Sequence, residues 1–192
     1  SNSRRGTTRV ANAQFTNWLT LHKELPDKDL GNFRIDDRTT LEKAKHRHAS
    51  YLQHNLRACD NRELKIHKTT AFTALHSVIP CPISQTFTAL VDNKPMCMFG
   101  VVPDGFHIAS IWLLGTDVIN EKNRVFLRYS KYFLEYFLNK YDVLENIVPV
   151  DHDVTIRWLK WCRFKFTDKI LHNGYECYRF VRCNKNIKLV ME

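Results

Sequence analysis

The side chains best equipped for chemistry fall into four groups. Six cysteines (Cys59, Cys81, Cys97, Cys162, Cys177 and Cys183) include no CxxC pair, so the spacing that clamps a zinc ion or frames a small disulfide scaffold is missing. They are expected to be reduced thiols, several of them serving as core hydrophobes. Among the nine histidines, His46, His48 and His54 form the densest group. On a helix His46 and His48 would point roughly 200° apart and could not share an ion, so solvated surface histidines are expected and no metal is predicted. The formal net charge is +9, and residues 157–188 carry nine Lys/Arg, from Arg157 and Lys160 to Lys188, against only Asp168 and Glu176. Such a basic end suits phosphate, whether in a nucleotide cofactor, in DNA or opposite an acidic protein face, and equally a solvated surface with no partner. Finally, Asp151-His152-Asp153 precedes a helical pattern, where Asp151 or Asp153 reads as the N-cap.

Placing such groups requires a core, and the chain can build one. At 192 residues, with 44% hydrophobic and 12% aromatic side chains, it fits a single globular domain. No run of about 18 apolar residues is present, so no membrane span is expected, and residues 1–15 lack the apolar stretch of a secretory signal. Residues 1–32 are polar apart from Phe15, Trp18, Leu19, Leu21 and Leu25, which predicts an extension docking through a short amphipathic stretch; the domain is expected over 33–192.

Periodicity then assigns the elements. Residues 33–35 suit a short strand. Thr39 or Thr40 is expected to cap a helix over 41–56, because Leu41, Ala44, His48, Tyr51, Leu52 and Leu56 recur at helical spacing. A second helix is expected over 61–66 and a third over 70–78, with Glu42 and Glu63 as acidic residues of the first turns, and Pro80 and Pro82 end the helical region. From Thr86 the period becomes two, which predicts an antiparallel meander of strands over 86–91, 96–102 and 106–114. Gly115-Thr116-Asp117 breaks the pattern, and a polar loop leads to a long helix over 125–141 whose stripe of Phe126, Tyr129, Phe133 and Phe137 must pack on the sheet. A strand over 144–150, a helix over 154–162 and strands over 164–166 and 175–182 complete an α/β reading.

The words that fill this order resemble a known family. TALVDNKPMCMFG (88–100), IWLLGTD (111–117), VLENIVPV (143–150), IRWLKWCRFKF (156–166) and LRACDNRE (56–63) are similar to the GNAT-like proteins of bacteriophages, which include internal virion proteins and phage acetyltransferases. The resemblance spans residues 33–183. It implies an α/β (α+β) fold with a mixed, mostly antiparallel central sheet and helices on both faces.

It also implies acetyl-CoA as the cofactor, held between two strands that part, with its phosphates at a helix N-terminus. On this sequence the holding residues would be Leu113, Leu114, Thr116, Lys122, Asn123, Arg124 and Arg128. The base that deprotonates the acceptor amine would come from His152 or Asp151, with Glu145 and Asp153 nearby, and His152 suits the task by its ordinary pKa. The chain departs from the family at three points. No glycine lies between Thr116 and the long helix, Trp158 and Trp161 stand where a Tyr acid is common, and Cys162 replaces the glycine that ends that helix. With those departures the resemblance implies a virion or assembly component with a degenerate acetyl-CoA site, an affinity weaker than about 100 μM, other phage structural proteins as partners, and a place in the virion or host cytoplasm. The alternative is an active N-acetyltransferase on a protein or small amine. A nucleic-acid module is the third reading, weakened because the aromatics sit in an apolar stripe rather than among Lys/Arg. Thiol titration of the denatured, unreduced protein is expected to find all six cysteines; a count of four or fewer would show disulfides instead.

Overall fold

The computed structural model describes residues 33–81 and 85–186, so the amphipathic stretch expected within 1–32, Pro82 and Lys188 lie outside the described residues. Eight strands form one sheet: β1 (Phe33–Arg34), β2 (Thr39–Lys43), β3 (Gln85–Val91), β4 (Lys94–Asp104), β5 (Ile108–Gly115), β6 (Val143–Pro149), β7 (Lys165–His172) and β8 (Tyr175–Cys183). Their order is β1-β2-β3-β4-β5-β6-β8-β7, and β5 with β6 is the parallel pair among antiparallel neighbours. The helices are α1 (His46–Leu52), α2 (Ala58–Ile66), α3 (Ala71–Ser77), α4 (Val118–Glu121), α5 (Asn123–Leu138) and α6 (Asp153–Trp161).

Turn chemistry sets the hairpins. Asp92 and Asn93, at φ 49° and 63°, form the two-residue connection between β3 and β4. Asn173 and Gly174, at 49° and 85°, do the same between β7 and β8, so β7 continues to His172 rather than stopping at 166 as expected. In the middle of the sheet only glycine fits at position 100, where a Cβ would lie 1.9 Å from the Gln85 carbonyl oxygen.

Two apolar clusters hold helices on opposite faces. The aromatic stripe of α5 packs as expected: Phe133 meets Phe99 edge-on at 4.2 Å and Phe87 at 5.9 Å, with Leu159 and Phe180 in the same cluster. On the other face Ala49, Leu52, Leu64 and Leu75 close over Met98 and Leu114. The long helix starts two residues earlier than expected and ends at Leu138.

The helix expected over 41–56 is corrected. Residues 39–43 form strand β2, which pairs antiparallel with β3 through Leu41↔Ala89, and the helix begins only at His46. Thr39 and Thr40 are therefore strand residues and not caps. Their β-branched side chains suit a pleated surface, and pairing with β3 overrides the helical spacing of Leu41 and Ala44. Glu42 consequently turns inward. Its carboxylate, only 7% exposed, lies 2.9 Å from the Arg47 guanidinium, 3.5 Å from Lys45 Nζ and 3.3 Å from His48 Nε2.

His48 corrects the surface-histidine expectation too, being buried, whereas His46 is exposed and stacks on His76. The Lys45 N–H donates to His48 Nδ1 at 3.1 Å, which leaves the proton of the neutral ring on Nε2, facing Glu42. Burial pushes the His48 pKa down to about 4, against the pull of Glu42. A depressed folded-state pKa supplies stability above the ordinary value of 6.5 and loses it as pH falls through about 4. Replacing His48 by Asn, whose side-chain oxygen can still accept the Lys45 N–H, is expected to remove roughly 3 kcal/mol at most of the stability lost between pH 7 and pH 4. Urea denaturation of both proteins across that range checks it, and parallel curves would refute it.

Candidate functional site

The sheet has one built-in opening. β5 and β6 pair at Ile108↔Val143, Ala109↔Leu144 and Ser110↔Glu145, and no further. Beyond that point β5 stays with β4 as far as Gly115, and β6 stays with β8 as far as Pro149, so the two parallel strands part. Asn146 sits in the fork, donating from Nδ2 to the Ile111 carbonyl at 2.8 Å and accepting the Ile147 N–H. The parted strands enclose a cleft of about 760 Å³. Ile111, Leu113, Val125, Phe126 and Trp158 line it on the α5–α6 side, and Trp112, Leu114, Glu63, Leu64 and His67 on the α2–α3 side.

What keeps β5 open is a buried carboxylate. Asp60, 1% exposed, accepts the Gly115 N–H at 2.9 Å, and the Arg57 N–H donates to the Gly115 carbonyl at 2.9 Å. The backbone groups at the end of β5 are thus satisfied by α2 rather than by β6. Arg57 closes the arrangement with two guanidinium bonds to Asp60, at 2.9 and 3.0 Å. Position 115 requires glycine for contact reasons: a Cβ would meet Ile119 Cδ1 at 2.3 Å and Cys97 Cβ at 3.0 Å. Since Ile111 and Gly115 both turn their backbone groups away from β4, strand alternation turns Leu113 N–H and C=O to the same open edge.

One helical turn beyond Asp60, Glu63 enters the cleft. Burial, and next the neighbouring Asp60 charge, push its pKa up to about 7, with Arg57 and Arg62 opposing. His152 Nδ1 lies 3.7 Å from Glu63 Oε2, and its Nε2 is 3.1 Å from the Thr155 hydroxyl. Burial pushes the His152 pKa down, with Asp60 raising it. The upward shift brings the Glu63 carboxyl into the range where protons move at neutral pH, while the downward shift leaves His152 a neutral imidazole beside it.

The residues predicted from sequence are distributed unevenly around this geometry. Leu113, Leu114 and Asn123 line the cleft. Thr116 is occupied in the sheet, where both its N–H and its hydroxyl donate to Met96 O. Lys122 lies 3.7 Å from Asp36, while Arg124 and Arg128 are exposed at the start of α5. Among the amides between Thr116 and α5, those of Ile119, Asn120 and Lys122 are bonded to the carbonyls of Thr116, Asp117 and Val118 within α4, so a helical turn stands where a polar loop was expected. Asp151 is exposed and bound by both Arg62 guanidinium nitrogens, at 2.8 and 2.9 Å. The N-cap of α6 is His152, with no side-chain cap bond, so neither Asp151 nor Asp153 is the cap. Glu145 lies in β6 opposite Ser110 and Val181. No group of three or more metal-ligating side chains occurs among the described residues.

Sequence reasoning missed Arg57, Asp60 and Glu63 as a unit and read Glu63 as an acidic helix start. One signal was present: Asp60, Glu63 and His67 recur at i, i+3 and i+7, a polar stripe on one face of a short helix.

Neither a protein-family model nor a curated protein matches this sequence. Solved structures do match the fold. RimL, a ribosomal L7/L12 alpha-N-protein acetyltransferase in complex with coenzyme A, superposes with a TM-score of 0.61 at 9% identity over 80% of this chain and 98% of that one. A GNAT-family acetyltransferase from Bacillus anthracis gives 0.61 at 11% identity over 78% and 96%, and a ribosomal-protein-S5-alanine acetyltransferase from Vibrio fischeri 0.59 at 10% over 82% and 99%. The chain therefore has the GNAT acetyltransferase fold.

Replacing Asp60 by Ala leaves the Arg57 charge and the Gly115 N–H buried without their acceptor. Removing one partner of a buried pair costs about 3–5 kcal/mol, a large share of a domain's stability, and urea denaturation is expected to show it. A loss below about 1 kcal/mol, the scale of an exposed pair, would refute the clamp.

Proposed function

We propose that this protein transfers an acyl group from a coenzyme A thioester to an amine in the cleft between β5 and β6, with Glu63 as general base. The observation that carries the reading is the Glu63 carboxyl, raised to about 7 inside the cleft beside the parted strands. The fold's likeness to acetyltransferases supports it.

The residues present suit the two ends of such a cofactor differently. The open edge at Leu113 offers its backbone C=O to an amide-bearing arm, and the cleft walls there are apolar. At the phosphate end three amides are used within α4, so Asn123, Arg124 and Arg128 would hold the phosphates mainly through side chains. Exposed contacts of that kind are screened, so binding weakens as salt rises.

A bound thioester supplies an activated acyl carbon and a thiolate leaving group. The remaining work belongs to the chain. An ammonium acceptor must lose a proton before it can attack, and Glu63 Oε takes it when ionised, that is above about pH 7. His152, kept neutral by burial, sits beside Glu63 Oε2 and helps set the carboxyl's orientation. The Leu113 N–H is the donor that β5 offers to the carbonyl oxygen as it gains charge.

A second reading has its own observation. The helical turn Val118–Glu121 replaces a phosphate-wrapping loop, and Trp158, an indole that cannot act as an acid, lies in the cleft. Those features suit a degenerate donor site in a virion or assembly protein of phage type, with its basic C-terminal residues facing DNA or an acidic partner.

Calorimetry with acetyl-CoA at low and moderate salt, joined to an amine-acylation assay, separates the two. The enzyme reading expects binding that drops in Arg124→Ala, and a rate rising with pH through about 7. It also expects Glu63→Gln to lose about 10²- to 10⁴-fold in kcat with acetyl-CoA binding retained. Absence of binding at either salt would leave the second reading.

A further inference from the structure

Resting on the acyltransferase reading, we propose that His67 and His172 form a relay that carries the proton taken up by Glu63 out of the cleft to solvent. Acylation of an ammonium forms a C–N bond and breaks a C–S bond. The nitrogen gives up two protons, one of which ends on the departing thiolate while the other must leave the site. Glu63 therefore has to be emptied once in every turnover, and its carboxyl, 24% exposed, has the His67 and His172 imidazoles in sequence beside it.

The β7–β8 hairpin tip reaches the C-terminus of α2, where Asn173 Nδ2 donates to the Ile66 carbonyl at 2.9 Å. A carbonyl only accepts, so this bond fixes the amide orientation. The same Nδ2 lies 3.3 Å from His172 Nε2, which must then be an acceptor. His67 Nδ1 lies 3.1 Å from that Nε2 and is consequently the protonated nitrogen of its ring. The His67 Nε2 lone pair is left facing Glu63 Oε1, 4.0 Å away.

Each link in this chain has a donor on the cleft side and an acceptor on the solvent side. A protonated Glu63 passes its proton to His67 Nε2, across a gap that a side-chain rotation or one water closes. His67 Nδ1–H passes to His172 Nε2, and His172 releases a proton from Nδ1. Both imidazoles end in the opposite tautomer and are restored by a ring turn before the next cycle. Burial and the nearby His172 push the His67 pKa down, so the ring stays neutral and able to accept. The other charged and titratable groups around Glu63 are Asp60 and Arg62 on its own helix, Arg57 at that helix's N-cap, and His152, the Arg62-bound Asp151 and the Cys177 thiol across from it.

Two measurements on the full-length protein test the relay, one independent of turnover. Long-range ¹H–¹⁵N NMR is expected to show His67 as the Nδ1–H tautomer, with shifts that follow a titration near 7 which disappears in Glu63→Gln. An Nε2–H tautomer of His67 would overturn the relay whether or not the protein is an enzyme. In the acylation assay His172→Ala is expected to lower kcat about tenfold, less than loss of the base itself, with KM unchanged, an enlarged solvent deuterium effect and rescue by added imidazole. An unchanged kcat, or a loss that imidazole does not restore, would overturn it. Absence of turnover in the unaltered protein would instead refute the acyltransferase reading and leave the NMR result to judge the relay.

Discussion

The buried Asp60 carboxylate is the contact on which the rest of this architecture turns. A strand that leaves its parallel neighbour exposes N–H and C=O groups, and buried backbone groups without partners are strongly disfavoured. Here the end of β5 is satisfied from outside the sheet, by Asp60 on one side of Gly115 and by the Arg57 N–H on the other. The fork between β5 and β6 can stay open because of it. The same contact fixes the angle of α2, and so brings Glu63 and His67 over the fork one and two turns later. Gly115 itself sits where a Cβ would crowd Ile119 Cδ1 and Cys97 Cβ.

Three inward-facing acids show how surroundings set a carboxyl's chemistry. Asp60 holds a bidentate guanidinium and an N–H. Glu42 is ringed by Lys45, Arg47 and His48. Both arrangements supply the partners that a buried charge requires. Glu63 has imidazoles at 3.7 and 4.0 Å, and burial with the Asp60 charge outweighs the pull of Arg57 and Arg62, so its proton is held to about pH 7. The group with the poorest partners is the one free to exchange a proton, and it is the one in the cleft.

Between β5 and α5 the chain runs through a short helix, α4. A turn of helix between Asp117 and Lys122 uses amides that a wrapping loop would leave free. The basic C-terminal third is also less uniform than its composition suggests. Arg182 is engaged by Glu135, Arg179 lies near Asp168, and Lys160 and Lys169 lie over the rings of Phe166 and Tyr178. Aromatic and basic residues there interleave in sequence, as in Arg163-Phe164-Lys165-Phe166, and lysines meet rings in space as well.

The sequence by itself determined the elements whose reasons are local. The β3–β4 hairpin follows from an apolar alternation around Asp92-Asn93, the long helix from its aromatic stripe, and the parallel strand from an apolar run after that helix. Leu113, Leu114 and Asn123 were legible as cleft residues once a fold was expected. Tertiary structure alone decided the remainder. Helical spacing hid β2, because Leu41 and Ala44, three residues apart, fit a helix face and only pairing with β3 selects the strand over 39–43. Glu63 looked like an acidic helix start, His48 like a surface imidazole and Asp151 like a cap or base. The surroundings of Glu63, Asp60 and Asp151 depend on partners far along the chain: His152, Gly115 and Arg62. Desolvation and charge pairing act through space over a few ångströms, and no local sequence pattern records which distant side chains will share that space.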